Sequence, residues 1–301
     1  MRFSLWPSTA QSWEDLLDAA THAAATGWEG LWAADHFMPS ADSGEGPMLE
    51  CFTVLASLAT CVPSVRLGSL VAGNTYRHPA VLAKIASTLD RTSGGRAVLG
   101  LGAGWQENEH RAYGIGFFDV PGRLERLEEA CAVVRHLLDD ARTDFEGRHY
   151  TLHDAPLQPK PVQAHLPLLV GGGGEKVTLR IAARWADEWN TWGLPDHLAA
   201  KGAALDRHCE AIGRDPNEIT RSAQVLVDLD GRAQPGHTMP SATGSVAQLQ
   251  ELMGAYVDAG VDEFILPDWN LGAGPARRDV MDRFITDVAG PFRERRASSR
   301  W

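Results

Sequence analysis

Short apolar runs alternate with longer amphipathic stretches along the whole chain. Arg2–Trp6 reads as a strand, and Ser12 then caps a helix running to about Thr26, with Glu14 and Asp15 in its first turn and Gly27 ending it. Leu31–Ala34 is a second strand and Pro47–Thr60 a second helix. Val65–Val71 and Ala97–Gly102 are the third and fourth strands, separated by a helix from about Pro79 to Thr92 whose first residue suits the first turn. Gly122–Asp140 carries Leu124, Leu127, Val134 and Leu138 near helical spacing. A hairpin is expected around Phe145–Tyr150, followed by a proline-rich stretch from Pro156 to Pro167. The pattern then resumes with strands at Leu168–Gly171, Asp187–Trp192, Ser222–Val227 and Glu263–Leu266. Helices at Glu175–Trp185, Asp196–Ile212, Ser245–Ala259 and Arg277–Val288 follow them in turn.

Eight strand–helix units imply a parallel sheet, because right-handed crossovers place every helix on the outside. The count of eight, with glycine-rich strand ends spread along the chain, favours closure over an open doubly wound sheet. The expected fold is therefore α/β, a TIM-type (β/α)8 barrel with insertions at the C-terminal mouth. The whole chain, 1–301, is expected to be one domain, with an insertion over about 105–166 and a second long loop over about 230–245 that could act as a lid.

Composition narrows the partners. There are 28 Lys and Arg against 39 Asp and Glu, a formal charge of −11, and no basic stripe. Nucleic acid and anionic membrane both need clustered cations, so neither is expected. The N-terminus lacks the apolar core of a signal peptide and no run is long enough to span a membrane, so a cytoplasmic protein is expected. Cys51, Cys61, Cys131 and Cys209 form no CxxC pair, which argues against zinc and disulfides.

In such a barrel, chemistry sits at the C-terminal ends of the strands. Gly171–Gly174 follows the fifth strand and precedes a helix, where backbone N–H groups can hold a phosphate; a tight turn is the plainer reading. Gly100-Leu-Gly-Ala-Gly-Trp105 ends the fourth strand but matches a dinucleotide fingerprint poorly, since an acidic loop with Glu107 and Glu109 follows. Its glycines, Gly102 and Gly104 among them, either let a flat ring pack on backbone or simply fill the mouth. His36, after Asp35, can act as acid or base or be a hydrogen-bonded mouth residue. No histidine or carboxylate spacing suits a metal. Trp105, Trp192 and Trp269 could wall a ring-binding pocket.

Tyr76-Arg-His-Pro79, Leu89-Asp-Arg-Thr-Ser-Gly-Gly-Arg96, Gly100–Glu109, Val170–Leu179 and Ala186-Asp-Glu-Trp-Asn190 together resemble the luciferase-like monooxygenase superfamily. Their spread is most similar to its coenzyme F420 (deazaflavin)-dependent oxidoreductases. The resemblance implies a TIM-type barrel, commonly a homodimer, that binds a flavin or deazaflavin at the mouth. It also implies a non-proline cis peptide at Ser69–Leu70, with Val71 completing the backing of the ring. By the same resemblance His36 is the catalytic residue. Asp35, Ser69, Leu70, Val71, Gly102, Gly104, Trp105, Asn108, Gly171, Gly172, Gly173 and Gly174 then contact the cofactor.

Two positions depart from the family's sugar-phosphate dehydrogenases. Trp105 stands where those enzymes have a proton-donating Glu, and Ser40 where they have a Trp. The expected activity is hydride transfer between F420 and a small organic substrate. The alternative is an FMN-dependent monooxygenase served by a separate flavin reductase, and a third reading is a cofactor-binding barrel without turnover.

Overall fold

The computed structural model describes residues 1–40, 43–231 and 239–293. Eight parallel strands close on themselves: β1 (Arg2–Trp6), β2 (Gly30–Ala33), β3 (Arg66–Ser69), β4 (Ala97–Gly102), β5 (Leu168–Gly171), β6 (Glu188–Trp192), β7 (Thr220–Gln224) and β8 (Glu263–Pro267). Each pairs with its sequence neighbours, and β1 pairs with β8 in the register Arg2 to Glu263 through Trp6 to Pro267. The barrel expected from the count of units is therefore present.

Alternation along the strands divides two apolar regions. Trp6, Trp32, Leu70, Val98, Leu169 and Ile265 pack together inside the barrel. Phe3, Leu5, Leu31, Leu67, Leu99, Leu168 and Phe264 instead join the larger core between strands and helices. The helices that cover the barrel are α1 (Trp13–Thr26), α2 (Cys51–Cys61), α3 (Pro79–Ser93), α4 (Glu107–Tyr113), α5 (Val120–Asp139), α6 (Thr178–Trp185), α7 (Pro195–Ala211), α8 (Val246–Asp258) and α9 (Gly274–Arg283). Ser12 accepts from the Asp15 N–H to start α1, and Ser245 forms a full capping box with Gln248 at α8.

The floor of the barrel is ionic. Glu263 is fully buried and accepts from Arg2 at 3.1 Å, Arg66 at 3.0 Å, Ser4 at 2.6 Å and the Trp32 indole at 3.1 Å. Arg66 also binds Glu188. Burial alone would raise the Glu263 carboxyl, but the flanking Arg2 and Arg66 and the two neutral donors hold it below the usual range. Nearby, Arg96 donates to Val62, Val65 and Ala59 carbonyls at 3.0, 2.7 and 2.8 Å, closing the end of α2. Asp90 accepts from Val162, Gln163 and Ala97, pinning the chain where the insertion returns to the barrel. The Leu89–Arg96 motif thus builds scaffold at this end.

Several boundaries differ from expectation for local reasons. The second helix begins at Cys51, because Glu50 is the residue whose carboxylate caps it. The acidic segment after Trp105 is not a loop but α4, with Glu107 and Glu109 in its first turn. The sixth helix starts three residues later than expected, at Thr178. The seventh strand leaves the barrel after Gln224, and Leu226–Leu229 pairs in parallel with Ser241–Gly244. Part of the expected lid over 230–245 is therefore strand, and 232–238 lies outside the described residues. The expected hairpin is real, with Thr143–Glu146 antiparallel to Thr151–Ala155.

Candidate active site

Strand β3 ends in a break that shapes the mouth. The Leu70–Val71 peptide is cis, one residue beyond the expected Ser69–Leu70 position, and the chain rejoins β4 through Ala72–Gly73. Ser69 anchors the break from below: its hydroxyl donates to the Gly100 carbonyl at 2.9 Å and accepts the Gly100 N–H at 3.1 Å. Facing residues are side-chain-free because the break comes so close. A Cβ on Gly100 would sit 2.1 Å from the Ser69 carbonyl oxygen, and Cβ atoms on Gly102 and Gly171 would meet Val71 methyls at 2.6 and 2.8 Å. Ser69, Leu70, Val71, Gly102 and Gly171 are thus brought together as one shelf. The glycines serve first to admit Val71, and the shelf this creates is a flat backbone surface.

Beside the shelf lies a carboxylate that the sequence reading passed over. Glu109, on the first turn of α4, has a fully buried side chain. One oxygen lies 2.7 Å from His36 Nδ1 and also accepts from the Tyr76 hydroxyl; the other accepts the Phe37 N–H at 2.7 Å. An ionised carboxylate only accepts, so His36 Nδ1 carries a proton and Nε2 is left as the free acceptor of the neutral ring. Burial pushes Glu109 up, but the bonds from His36, Tyr76 and the Phe37 N–H bring it below the ordinary glutamate value. The rest of α4 clamps the same loop. Gln106 donates to the Met38 carbonyl at 2.9 Å, and Asn108 to the Pro39 carbonyl at 3.3 Å. Tyr113 donates to the Phe37 carbonyl at 3.3 Å. Trp105, largely exposed, stands edge-on to His36 with ring centroids 5.4 Å apart.

Asp35 occupies a different place from His36. It is buried, binds both Arg77 guanidinium nitrogens at 2.7 and 3.0 Å, and accepts the Gly73 N–H at 3.0 Å. Burial raises its carboxyl despite Arg77. Its side chain therefore ties the β2 end to the Ala72–Gly73 segment and is already bonded on both oxygens. Arg77 also binds Glu50 at 2.7 Å, and His78 caps α3. The Tyr76–Pro79 motif is explained residue by residue: Tyr76 to Glu109, Arg77 to Asp35, His78 and Pro79 to a helix start.

The glycine turn starts from the shelf, at Gly171 facing Val71. Gly172 has φ +122°, a conformation that side chains rarely adopt, and its N–H and carbonyl are bonded to the Asn190 carbonyl at 2.9 Å and the Trp189 indole at 2.8 Å. Cβ atoms on Gly173 and Gly174 would meet the Thr191 and Thr178 hydroxyl oxygens at 3.1 and 2.8 Å. Beyond it, α6 begins at Thr178 after Val177, which supplies no side-chain cap, and the Leu179 N–H is taken by the Gly174 carbonyl at 3.0 Å. Gly104 packs on Thr75 and Asn108 bonds the Pro39 carbonyl and the Glu109 N–H, whereas Gly172–Gly174 contact Thr178, Asn190 and Thr191. Among the described residues no group of histidines, cysteines and carboxylates could hold a metal.

Comparison with known proteins adds three findings. Residues 1–235 match the family model for luciferase-like monooxygenases. The F420-dependent glucose-6-phosphate dehydrogenase of Kineococcus radiotolerans is 34% identical over 220 residues, covering 71% of this chain and 64% of that protein. Pyrimidine monooxygenase of Pseudomonas syringae pv. syringae is 36% identical over 223 residues, 70% of this chain and 61% of that protein. The chain thus spans just under two thirds of the length of either relative. Among solved structures, an F420-dependent secondary alcohol dehydrogenase in complex with an F420–acetone adduct has a TM-score of 0.81 at 20% identity, covering 96% of this chain and 99% of that one.

Proposed function

The chain belongs to the luciferase-like monooxygenase family, and from that premise we propose that it is an F420-dependent oxidoreductase acting on a small organic substrate. The observation that carries this reading is the side-chain-free shelf at Leu70–Val71 with an oriented imidazole beside it. A planar ring needs such a shelf, and a redox reaction at an alcohol or carbonyl needs a group to take or give the accompanying proton. F420, when bound, supplies the hydride chemistry. The residues present fit it: Leu70–Val71 would back the ring, and the Gly171–Gly174 turn would hold the phosphate through the Gly173 and Gly174 N–H groups, since that of Gly172 is already bonded to Asn190. Gly102, Gly104, Trp105 and Asn108 are proposed as the ring-side contacts, with Ser69 and Asp35 supporting them from behind.

His36 holds or moves the proton at Nε2, and Glu109 fixes which nitrogen is free to do so. Trp105 in place of an acid leaves His36 as the proton-handling side chain of this cluster. We further propose a cytoplasmic homodimer; among the described residues no helix is long and apolar enough to cross a membrane. A second reading, an FMN-dependent monooxygenase with a partner reductase, is favoured by the 36% identity to pyrimidine monooxygenase.

The test is titration of the purified protein with each cofactor, followed by intrinsic tryptophan fluorescence. Saturable quenching by F420 at concentrations where FMN gives none supports the proposal. The reverse order establishes the FMN reading, and no binding of either leaves a barrel without this cofactor chemistry. His36→Ala should then lower turnover far more than F420 affinity.

A further inference from the structure

Three indole rings gather at the end of the barrel where the strands finish. Trp6 closes β1, Trp192 closes β6, and Trp269 lies two residues beyond β8. Their ring centroids form a triangle of 5.0, 5.6 and 5.8 Å. Trp6 is 95% removed from solvent at 5% exposure, whereas Trp192 and Trp269 are only partly covered and rest on the inner cluster of Leu70, Val98, Leu169 and Ile265. The rims of these two rings are therefore apolar surface left facing the opening. Within the trio the Trp6 indole N–H is buried and has no partner among the described residues.

Among the described residues, Arg277 on Asp268, next in sequence to Trp269, and two further cations of the mouth are already engaged. Arg277, almost fully buried, binds Asp268 at 3.0 Å, Gln11 at 2.6 Å and the Asp15 carbonyl at 2.6 Å. Arg77 is spent on Asp35 and Glu50, and Lys201 on Glu175 at 2.8 Å. A phosphomonoester dianion taken out of water needs cationic partners aimed at it, preferably in bidentate geometry. The described residues of this wall offer indole faces instead, which favour flat or alicyclic carbon skeletons.

We infer that the substrate is a neutral aromatic or alicyclic alcohol or ketone, seated on Trp192 and Trp269, and not a sugar phosphate. This deepens the oxidoreductase reading and rests on it. It separates the chain from its 34%-identical relative, whose name specifies glucose-6-phosphate. The distinction follows from what the wall can recognise, since shelf, imidazole and glycine turn are indifferent to the substrate's charge.

The experiment measures binding by saturation-transfer NMR and calorimetry, with and without bound F420, using acetophenone, glucose and glucose-6-phosphate as probes. Acetophenone should bind, and neither sugar should compete with it. Replacing both rings (Trp192→Ala with Trp269→Ala) should weaken acetophenone at least about tenfold, the loss expected when aromatic anchors are truncated, while F420 affinity stays within about twofold. Trp192→Phe and Trp269→Phe, which keep aromatic surface, should retain most of the binding and guard against a folding defect. Tighter binding of glucose-6-phosphate or glucose than of acetophenone would overturn the inference, as would acetophenone binding indifferent to both rings. If F420 itself fails to bind, the oxidoreductase reading falls, while the acetophenone measurement on the cofactor-free protein still decides the character of the wall.

Discussion

Glu109→Gln isolates the step by which the fold selects the working nitrogen of His36. In the native protein one carboxylate oxygen meets the His36 ring and the Tyr76 hydroxyl, and the other meets the Phe37 N–H. Glutamine must put its NH2 at one of these sites. Facing Phe37 it would set donor against donor, so the amide oxygen goes to Phe37 and the NH2 turns toward His36 and Tyr76. The Tyr76 hydroxyl can rotate to accept, but His36 can accept at Nδ1 only by moving its proton to Nε2. Every group is then satisfied, and the imidazole presents a donor where it presented an acceptor.

Three charge-assisted bonds become neutral ones, at a cost of about 1 kcal/mol each. That is a fall in Tm of roughly 5 °C for a chain of this size. The pH dependence has a definite sign. Because Glu109 is held below its ordinary value of 4.5, its stabilisation is complete above that value and fades as pH falls through the lower folded value. The gap in stability between wild type and Glu109→Gln should therefore be full at neutral pH and close in acid. The assay is 15N-resolved NMR of the histidine rings, with the His36 signals identified by their loss in His36→Phe, alongside thermal melts from neutral to acidic pH. An unchanged His36 tautomer in Glu109→Gln would refute the reasoning, whatever the turnover. A stability gap that grows in acid would refute the electrostatic part.

Gly100→Ala should lose at least about 2 kcal/mol, read by chemical denaturation, because its Cβ would fall 2.1 Å from a backbone oxygen that cannot swing aside. Glu263→Gln should cost about 3 kcal/mol in the same assay, by leaving Arg2 and Arg66 to share Glu188 as their remaining described carboxylate at the barrel floor. Gly172→Asp should lower F420 affinity by more than about tenfold in fluorescence titration, since it sets a negative charge where the phosphate is proposed to sit. Its effect on stability should stay within about 1–3 kcal/mol, the cost of a side chain at that φ.

The barrel was legible because eight strand–helix units leave few ways to bury both strand faces, and the order of apolar runs survives errors of two or three residues at each end. What the sequence reading missed are pairings between distant segments. Glu109 looked like part of a solvated acidic loop because its partners, His36 and Tyr76, lie 73 and 33 positions away. A sharper signal was available: Glu107 and Glu109 precede Gly114, which ends α4, an acidic start and glycine stop typical of a short helix. Asp35 was expected among the cofactor contacts on the family resemblance, and its side chain bonds Arg77 and the Gly73 N–H. Consecutive residues at a strand end point opposite ways, so Asp35 went into the scaffold with Arg77 while His36 stayed at the mouth. The glycines at 100 and 102 were open between room for a ring and simple filling of the mouth, and Gly171 was read as part of a phosphate turn; all three first make space for Val71, and so leave a flat surface.

The central claim is that the Leu70–Val71 shelf holds the ring of one cofactor and the adjoining Gly171–Gly174 turn its phosphate, with His36 beside the reactive ring. A crystal structure of the protein soaked with F420 tests it most directly. The account predicts the ring against Leu70–Val71, the phosphate on the N–H groups of the glycine turn, and His36 Nε2 turned toward the exposed face of the ring. A ring bound elsewhere on the barrel, or a phosphate held away from Gly171–Gly174, would contradict it.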